Sequence, residues 1–237
     1  MSSLKIILIV VAAALLSSGA PLSAQAYQCR VPARMSAPQV KPDGPVRRVP
    51  ITGYTLALSW SPEYCKGRET RAADEIQCRG AYGRFGLVVH GLWPEGRGTW
   101  PQWCPTARQV QPPELRRNLC LMPSARMQAH EWAKHGSCMA RTPTAYFKVT
   151  RILFDGLHLP DFDRLSKDPE LDSGLVRRRF AASNPGWKPE AVGLLVNERG
   201  WLQELRLCYD RRFMPEACDR RRFGPKDAAA VKIWRGL

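Results

Sequence analysis

Eight cysteines, Cys29, Cys65, Cys78, Cys104, Cys120, Cys138, Cys208 and Cys218, set the first boundary on what this chain can become. An even number in an exported chain points to a disulfide framework, and four bridges are the default. No pair has the Cys-x-x-Cys spacing of a zinc or redox site, which argues against thiolate–metal and thioredoxin-like chemistry and against a cysteine nucleophile. Export is read from residues 1–26, where Lys5 is the one charge, an apolar run extends from Ile6 to Leu16, and small residues close on Ala24-Gln25-Ala26. This is the order of a secretory signal, with the cut expected after Ala26 and the mature chain secreted or periplasmic. The apolar run is too short to span a bilayer, and no later stretch approaches the roughly 20 apolar residues a spanning helix needs.

Removing Lys5 with that leader leaves 35 basic against 21 acidic residues, a formal charge of +14. Such a balance favours an anionic partner, although RNA, DNA, anionic glycans and membrane surfaces fit it equally well. Hydrophobic residues make up 44% of the chain, with eight tryptophans, enough for one substantial core. Residues 27–50 are rich in proline and polar side chains without periodicity and read as an extended N-terminal arm, with folded structure beginning near Ile51. Residues 51–237 then form one domain ending in a basic tail.

Alternation over Tyr54 to Trp60 predicts a strand with one face in the core, and Phe85 to Val89 predicts a second that delivers His90 at its end before a turn at Gly91 and Pro94. Helices are predicted near Ala125 to Met139, from an N-cap at Thr142-Pro143 through Leu153, and over Ser173 to Ala182. Further strands are expected at Ala191 to Val196 and Trp201 to Cys208, about a turn at Glu198-Arg199-Gly200. Strands and helices without regular alternation indicate α+β, a central mainly antiparallel sheet packed against several helices.

The segment His130-Glu131-Trp132-Ala133-Lys134-His135 packs four ionisable groups into six residues. On a helix Glu131 and His135 share one face, and His130 and Lys134 form the neighbouring stripe. Such density is costly to bury without a task, because desolvation and like-charge contact both oppose it. The histidines are five apart, so a regular helix separates them by roughly 140°, against about 40° for the spacing of a zinc-protease helix. A shared metal is therefore not expected. His90, alone, reads more readily as a core histidine satisfied by backbone hydrogen bonds than as a functional one. The second histidine cluster is what shifts it toward function.

His90-Gly91-Leu92-Trp93-Pro94 and His130-Glu131-Trp132-Ala133-Lys134-His135-Gly136-Ser137-Cys138 together resemble the two active-site segments of the ribonuclease T2 family. The likeness extends to Leu58-Ser59-Trp60-Ser61-Pro62-Glu63-Tyr64-Cys65 and to the segment from Leu205 to Cys218, and covers roughly residues 51–220. It implies a bacterial-type, secreted endoribonuclease that acts on single-stranded RNA as a monomer, without metal or cofactor. By resemblance His135 is the general base and His90 the general acid in forming a 2′,3′-cyclic phosphate, with the roles reversed when that product is hydrolysed to a 3′-phosphate. Lys134 neutralises charge on the phosphorane, His130 binds phosphate, and Glu131 tunes a histidine and supports the transition state. Chemistry alone leaves open which histidine acts first. One neutral and one protonated histidine imply a bell-shaped pH dependence.

The resemblance pairs Cys104 with Cys138 and Cys208 with Cys218, leaving the connectivity of Cys29, Cys65, Cys78 and Cys120 open. Trp93 reads as a stacking wall for a base or as a prop for the loop after His90. Asn118 lies where some family members bind a base, its plainer reading being an exposed turn residue. Trp132 reads as core and His158 as structural. Arg177-Arg178-Arg179, Arg211-Arg212 and Arg220-Arg221-Arg222 are candidate tracks for an RNA backbone, although each alone is more often a solvated face. Met127-Gln128-Ala129 and Ser59 depart from the aromatics and glutamine of many relatives, which leaves base preference open. The rivals are an RNA-binding or signalling protein that keeps this fold without turnover, and a metal-dependent hydrolase.

Overall fold

A computed structural model of the chain describes residues 26–236. The leader expected over residues 1–26 lies outside the described residues, Ala26 excepted. After Tyr27 the arm carries no helix or strand up to Pro50, yet its ties to the rest of the chain begin well before Ile51. Strand β1 (Ala26–Tyr27) pairs antiparallel with a later short strand, a disulfide joins Cys29 to Cys120, and Arg47 exchanges backbone hydrogen bonds with Gln102. Composition reported the absence of regular elements there and missed these ties, which are made to distant residues.

The central sheet uses β2 (Gly53–Trp60), β4 (Leu87–Glu95), β5 (Val192–Val196) and β6 (Leu202–Asp210), while β3 (Arg84–Phe85) is the partner of β1. The order is β4-β2-β6-β5, and every pairing is antiparallel. Here the structure corrects one expectation: the chain does not turn after His90 but continues as β4 through Gly91 and Pro94 to Glu95. Proline lacks the N–H that an inner strand donates to both neighbours. β4 is an edge strand, so Pro94 is tolerated there.

Leu56, Leu58, Leu92, Leu205 and Leu207 leave one face of the sheet with no exposure and meet Tyr146 and Phe147 of helix Pro143–Asp155 and Phe180 of helix Ser173–Ser183. Each such side chain withdrawn from water contributes about 1.5–3 kcal/mol before entropy is counted. Thr142 caps the first of these helices as predicted, its hydroxyl accepting from Ala145 N at 3.1 Å. Arg177 departs from its reading as an RNA contact. It is fully buried, donating to Val192 O, Phe223 O and Pro225 O and pairing with Asp227, so its charge ties the C-terminal segment to the sheet.

Four disulfides close the frame: Cys29–Cys120, Cys65–Cys78, Cys104–Cys138 and Cys208–Cys218. The third and fourth are those the resemblance implies. Cys104–Cys138 ties the loop after β4 to the helix carrying the histidine cluster. Among the described residues no helix is long and apolar enough to cross a membrane.

Candidate active site

β4 carries one residue more than β2 at His90. Ala57 pairs with Gly91 and Leu58 with Val89, so His90 is the extra residue of a bulge. A bulge re-aims a side chain that regular alternation would send elsewhere. Here it brings Trp93 onto the outer face of the sheet beside His90, which alternation from Val89 already places there, while Val89 and Leu92 both stay in the core. On that face Ser59 of β2 lies in register with Glu204 of β6, and its small side chain leaves room for the carboxylate to reach across. Glu204 Oε1 stands 2.5 Å from His90 Nδ1, and its Oε2 is 3.2 Å from Arg206 Nε.

The second wall is a helix that opens with Ser124 accepting from Met127 N and runs as Ala125–Glu131, widening into a π-turn over Trp132–Gly136. Such turns recur at functional sites because they rotate side chains off the regular helical stripe. The wider turn also reduces the angle between His130 and His135, so the separation expected for a regular helix does not hold across it. Trp132 is core, as predicted, at 2% exposure. Glu131 is buried, takes a hydrogen bond from Trp93 Nε1 at 2.8 Å, and lies 4.0 Å from His90 Nε2. Through this bond Trp93 acts as a prop for the site, and its ring also stands 5.2 Å from that of His90 and 5.8 Å from that of His135. His130 and Lys134, on their common stripe, face Asp43 of the arm.

Burial drives the strongest electrostatic shifts. Desolvation raises the Glu131 carboxyl to about 7, although His90, Trp93 and Lys134 oppose it. Desolvation lowers His135 to about 3, with the charges of Lys134, His130 and His90 adding to the effect. Its Nδ1 is buried without a hydrogen-bond partner. For His90, burial alone would lower the pKa, but the hydrogen bond its Nδ1 donates to Glu204 and the charges of Glu131 and Glu204 outweigh it and raise it above 6.5. His130 is lowered by desolvation and by Lys134.

His90, Trp93, His130, Glu131, Lys134 and His135 border one cavity of about 400 Å³, which Arg206, Arg222, Glu95 and Trp100 complete. His90 also borders a second cavity of about 210 Å³, lined by Ser59, Tyr64, Met122, Met127 and Glu204 among others. Asn118 is not brought to either. It is fully buried rather than exposed in a turn, donating to Glu114 and accepting from Arg151, and so serves packing between helices. Sequence reasoning missed Glu204, Asp43 and Arg206. A lone carboxylate between the apolar positions Leu202 and Leu205 of a strand was a signal for Glu204, but its partner lies 114 residues away. Among the described residues no group of three or more His, Cys, Asp or Glu side chains is arranged to hold a metal ion.

Comparison with known proteins places these features in context. The sequence profile of the Ribonuclease T2 family matches residues 52–166. A probable ribonuclease of Haemophilus influenzae is 31% identical over 185 residues, covering 72% of this chain and 62% of its own length. A ribonuclease of Aeromonas hydrophila is 35% identical over 115 residues, covering 48% of this chain and 43% of its own. The chain therefore spans about half of these curated relatives. Among solved structures, an RNase-related protein from Calystegia sepium aligns with a TM-score of 0.61 at 19% identity, over 77% of this chain and 97% of that one. Trichomaglin, described as an S-like ribonuclease, aligns at 0.59 and 22% identity, over 71% and 92%. These two likenesses speak to the fold.

Proposed function

Since this chain belongs to the ribonuclease T2 family, we propose that it is an exported endoribonuclease cleaving single-stranded RNA by metal-independent transphosphorylation. The observation that carries this reading is the contrast between two histidines on one cavity: burial holds His135 neutral, and the ionised Glu204 hydrogen-bonded to His90 favours its protonated form. A neutral base and a charged acid are what cleavage by the substrate's own 2′-hydroxyl demands. His135 takes the 2′-hydroxyl proton, the 2′-oxygen attacks phosphorus, and the P–O5′ bond breaks as His90 gives its proton to the leaving oxygen. A 2′,3′-cyclic phosphate and a free 5′-hydroxyl result. Hydrolysis reverses the proton transfers, with water in place of the 5′-hydroxyl, and leaves a 3′-phosphate.

Lys134 supplies a cationic donor and His130 a ring N–H donor for the non-bridging oxygens, whose charge grows toward the phosphorane. Glu131, with a pKa of about 7, carries a proton in mildly acid solution and donates to one of these oxygens. The cavities on either side of His90 accommodate the nucleotides flanking the scissile bond. Purified protein given RNA and all-deoxy DNA of one sequence, with chelator present, is expected to cleave only the RNA and to leave 2′,3′-cyclic ends. Cleaved DNA or chelator-sensitive activity refutes the reading. RNA bound but left intact would establish the binding protein instead.

The pH dependence follows from the same pair. Activity requires protonated His90, so it falls as pH rises through a pKa above 6.5; it requires neutral His135, so the opposite limb lies near pH 3. The profile of kcat/KM is therefore centred on the acid side. Glu204 is a positioning residue in this scheme, fixing the His90 ring through Nδ1 and favouring its charged form. Glu204→Gln is expected to move the alkaline limb down by roughly one pH unit, as loss of a neighbouring opposite charge does. A limb that stays in place would show that Glu204 does not tune His90.

A further inference from the structure

Asp43 lies in the stretch Lys41-Pro42-Asp43-Gly44-Pro45 of the arm, remote in sequence from the histidine helix. Its Oδ2 is 2.7 Å from Lys134 Nζ and 3.9 Å from His130 Nε2, and its Oδ1 accepts from Trp103 Nε1 at 2.9 Å. The carboxylate is placed by the fold rather than by chance. Immediately after it, Gln102 Nε2 donates to Pro45 O at 3.0 Å, and Arg47 and Gln102 exchange backbone bonds of 2.9 and 3.0 Å. Before it, the Cys29–Cys120 disulfide anchors the other end of the arm. Trp103 itself holds a left-handed backbone, φ 54°, uncommon for a bulky residue, and its N–H donates to Lys134 O at 2.8 Å.

An ammonium, an imidazole and an indole N–H converging on two oxygens of one anion form the donor set that a phosphate's non-bridging oxygens would use. Asp43 is about half exposed, 49%, so solvent is open to it when it leaves the pair. Half-exposed ion pairs are weak and screened by salt, which makes this one exchangeable for a phosphate.

We propose that Asp43 is a built-in counter-ion of the phosphate subsite formed by Lys134 and His130, one that substrate and product phosphates must displace. Asp43 thereby sets the affinity of the site for phosphate esters and leaves the rate of the chemical step to the histidines. Its negative charge weighs most against the doubly charged 3′-phosphate of a product, and so speeds product release from a strongly basic chain. The inference rests on reading Lys134 and His130 as phosphate-binding.

Its test is the binding of inorganic phosphate and of uridine 3′-phosphate to the full chain and to Asp43→Asn at pH 6, by calorimetry, beside kcat and KM on RNA. Asp43→Asn is expected to bind both ligands about fivefold more tightly, a gain lost at high salt, and to lower KM for RNA while kcat changes less than twofold. Affinities equal to or weaker than wild type overturn the proposal, as does a fall in kcat at constant KM, which would mark Asp43 as a prop for Lys134. Ligands that bind neither protein refute the phosphate-site reading itself, an outcome distinct from equal binding to both. Asp43→Ala, which removes the carboxylate without leaving an amide, must behave as Asp43→Asn does.

Discussion

Replacing His135 with alanine is expected to lower kcat/KM for RNA about 10³–10⁴-fold while the fold survives. The size follows from what is lost: general base catalysis contributes about 10²–10⁴-fold, and alanine leaves no group of suitable basicity in its place. His135 is suited to the task by its surroundings. At 8% exposure, beside Lys134 and within reach of the charges of His130 and His90, its protonated form is disfavoured, and its pKa falls to about 3. The imidazole is thus a free base down to about pH 3. Its Nδ1 makes no hydrogen bond, so truncation breaks no network and costs about 1–2 kcal/mol of stability, chiefly lost packing. Circular dichroism and thermal unfolding measure that cost, and steady-state rates on a dinucleotide measure the rest. His90→Ala should fall by a comparable factor. The double variant should lose far less than the product of the two, since acid and base act in one concerted transfer. A single variant within tenfold of wild type removes its histidine from the assigned role.

Much of this architecture was legible because it is written locally. Thr142-Pro143 caps its helix as that pair should, and alternation locates β2, β5 and β6 within one or two residues. The histidine segment announced itself by crowding ionisable groups that no core would tolerate idly. What stayed hidden depends on pairing across the chain. The bulge at His90 exists only relative to β2, since nothing between Leu87 and Glu95 says that one residue will be left unpaired. Gly91 and Pro94 read as a turn, and only the place of β4 at the sheet edge makes them strand residues. The π-turn is likewise invisible to a regular 3.6-residue reading. Glu204 and Asp43 act on partners 114 and 91 residues away, and Asp43 sits in a stretch whose composition signals only the absence of regular structure. Asn118 and Arg177 erred the other way: polar side chains read as surface or ligand contacts proved to be buried anchors, because their hydrogen bonds are satisfied by partners that meet only in the folded chain.

Gly91→Ala is expected to damage the site through geometry alone, with no catalytic group removed. Gly91 has no left-handed backbone to protect; its need for glycine is closeness. A Cβ built there would overlap Glu131 Oε2 and Trp93 Nε1 and come within 2.8 Å of Glu131 Cδ. These are the two atoms of the bond that fixes Glu131 and Trp93, and neither can retreat easily. Glu131 is buried on a helix tied by Cys104–Cys138, and the Trp93 ring is flanked by both histidines. Forcing a methyl group into such packing costs about 1–3 kcal/mol. For a chain of this size that lowers the melting temperature by roughly 2–12 °C. Catalysis should suffer more, about 10²-fold in kcat, because displacement of a reacting group by about 1 Å has that effect and His90 is the adjacent residue. The clash makes one further demand. Glu131→Ala clears the space, so the double variant Gly91→Ala/Glu131→Ala should melt higher than Gly91→Ala alone, a coupling expected only between residues in contact. If Gly91→Ala melts and turns over as wild type does, the approach of β4 to the histidine helix is looser than this site requires, and Glu131 is not held where it can meet a phosphate oxygen.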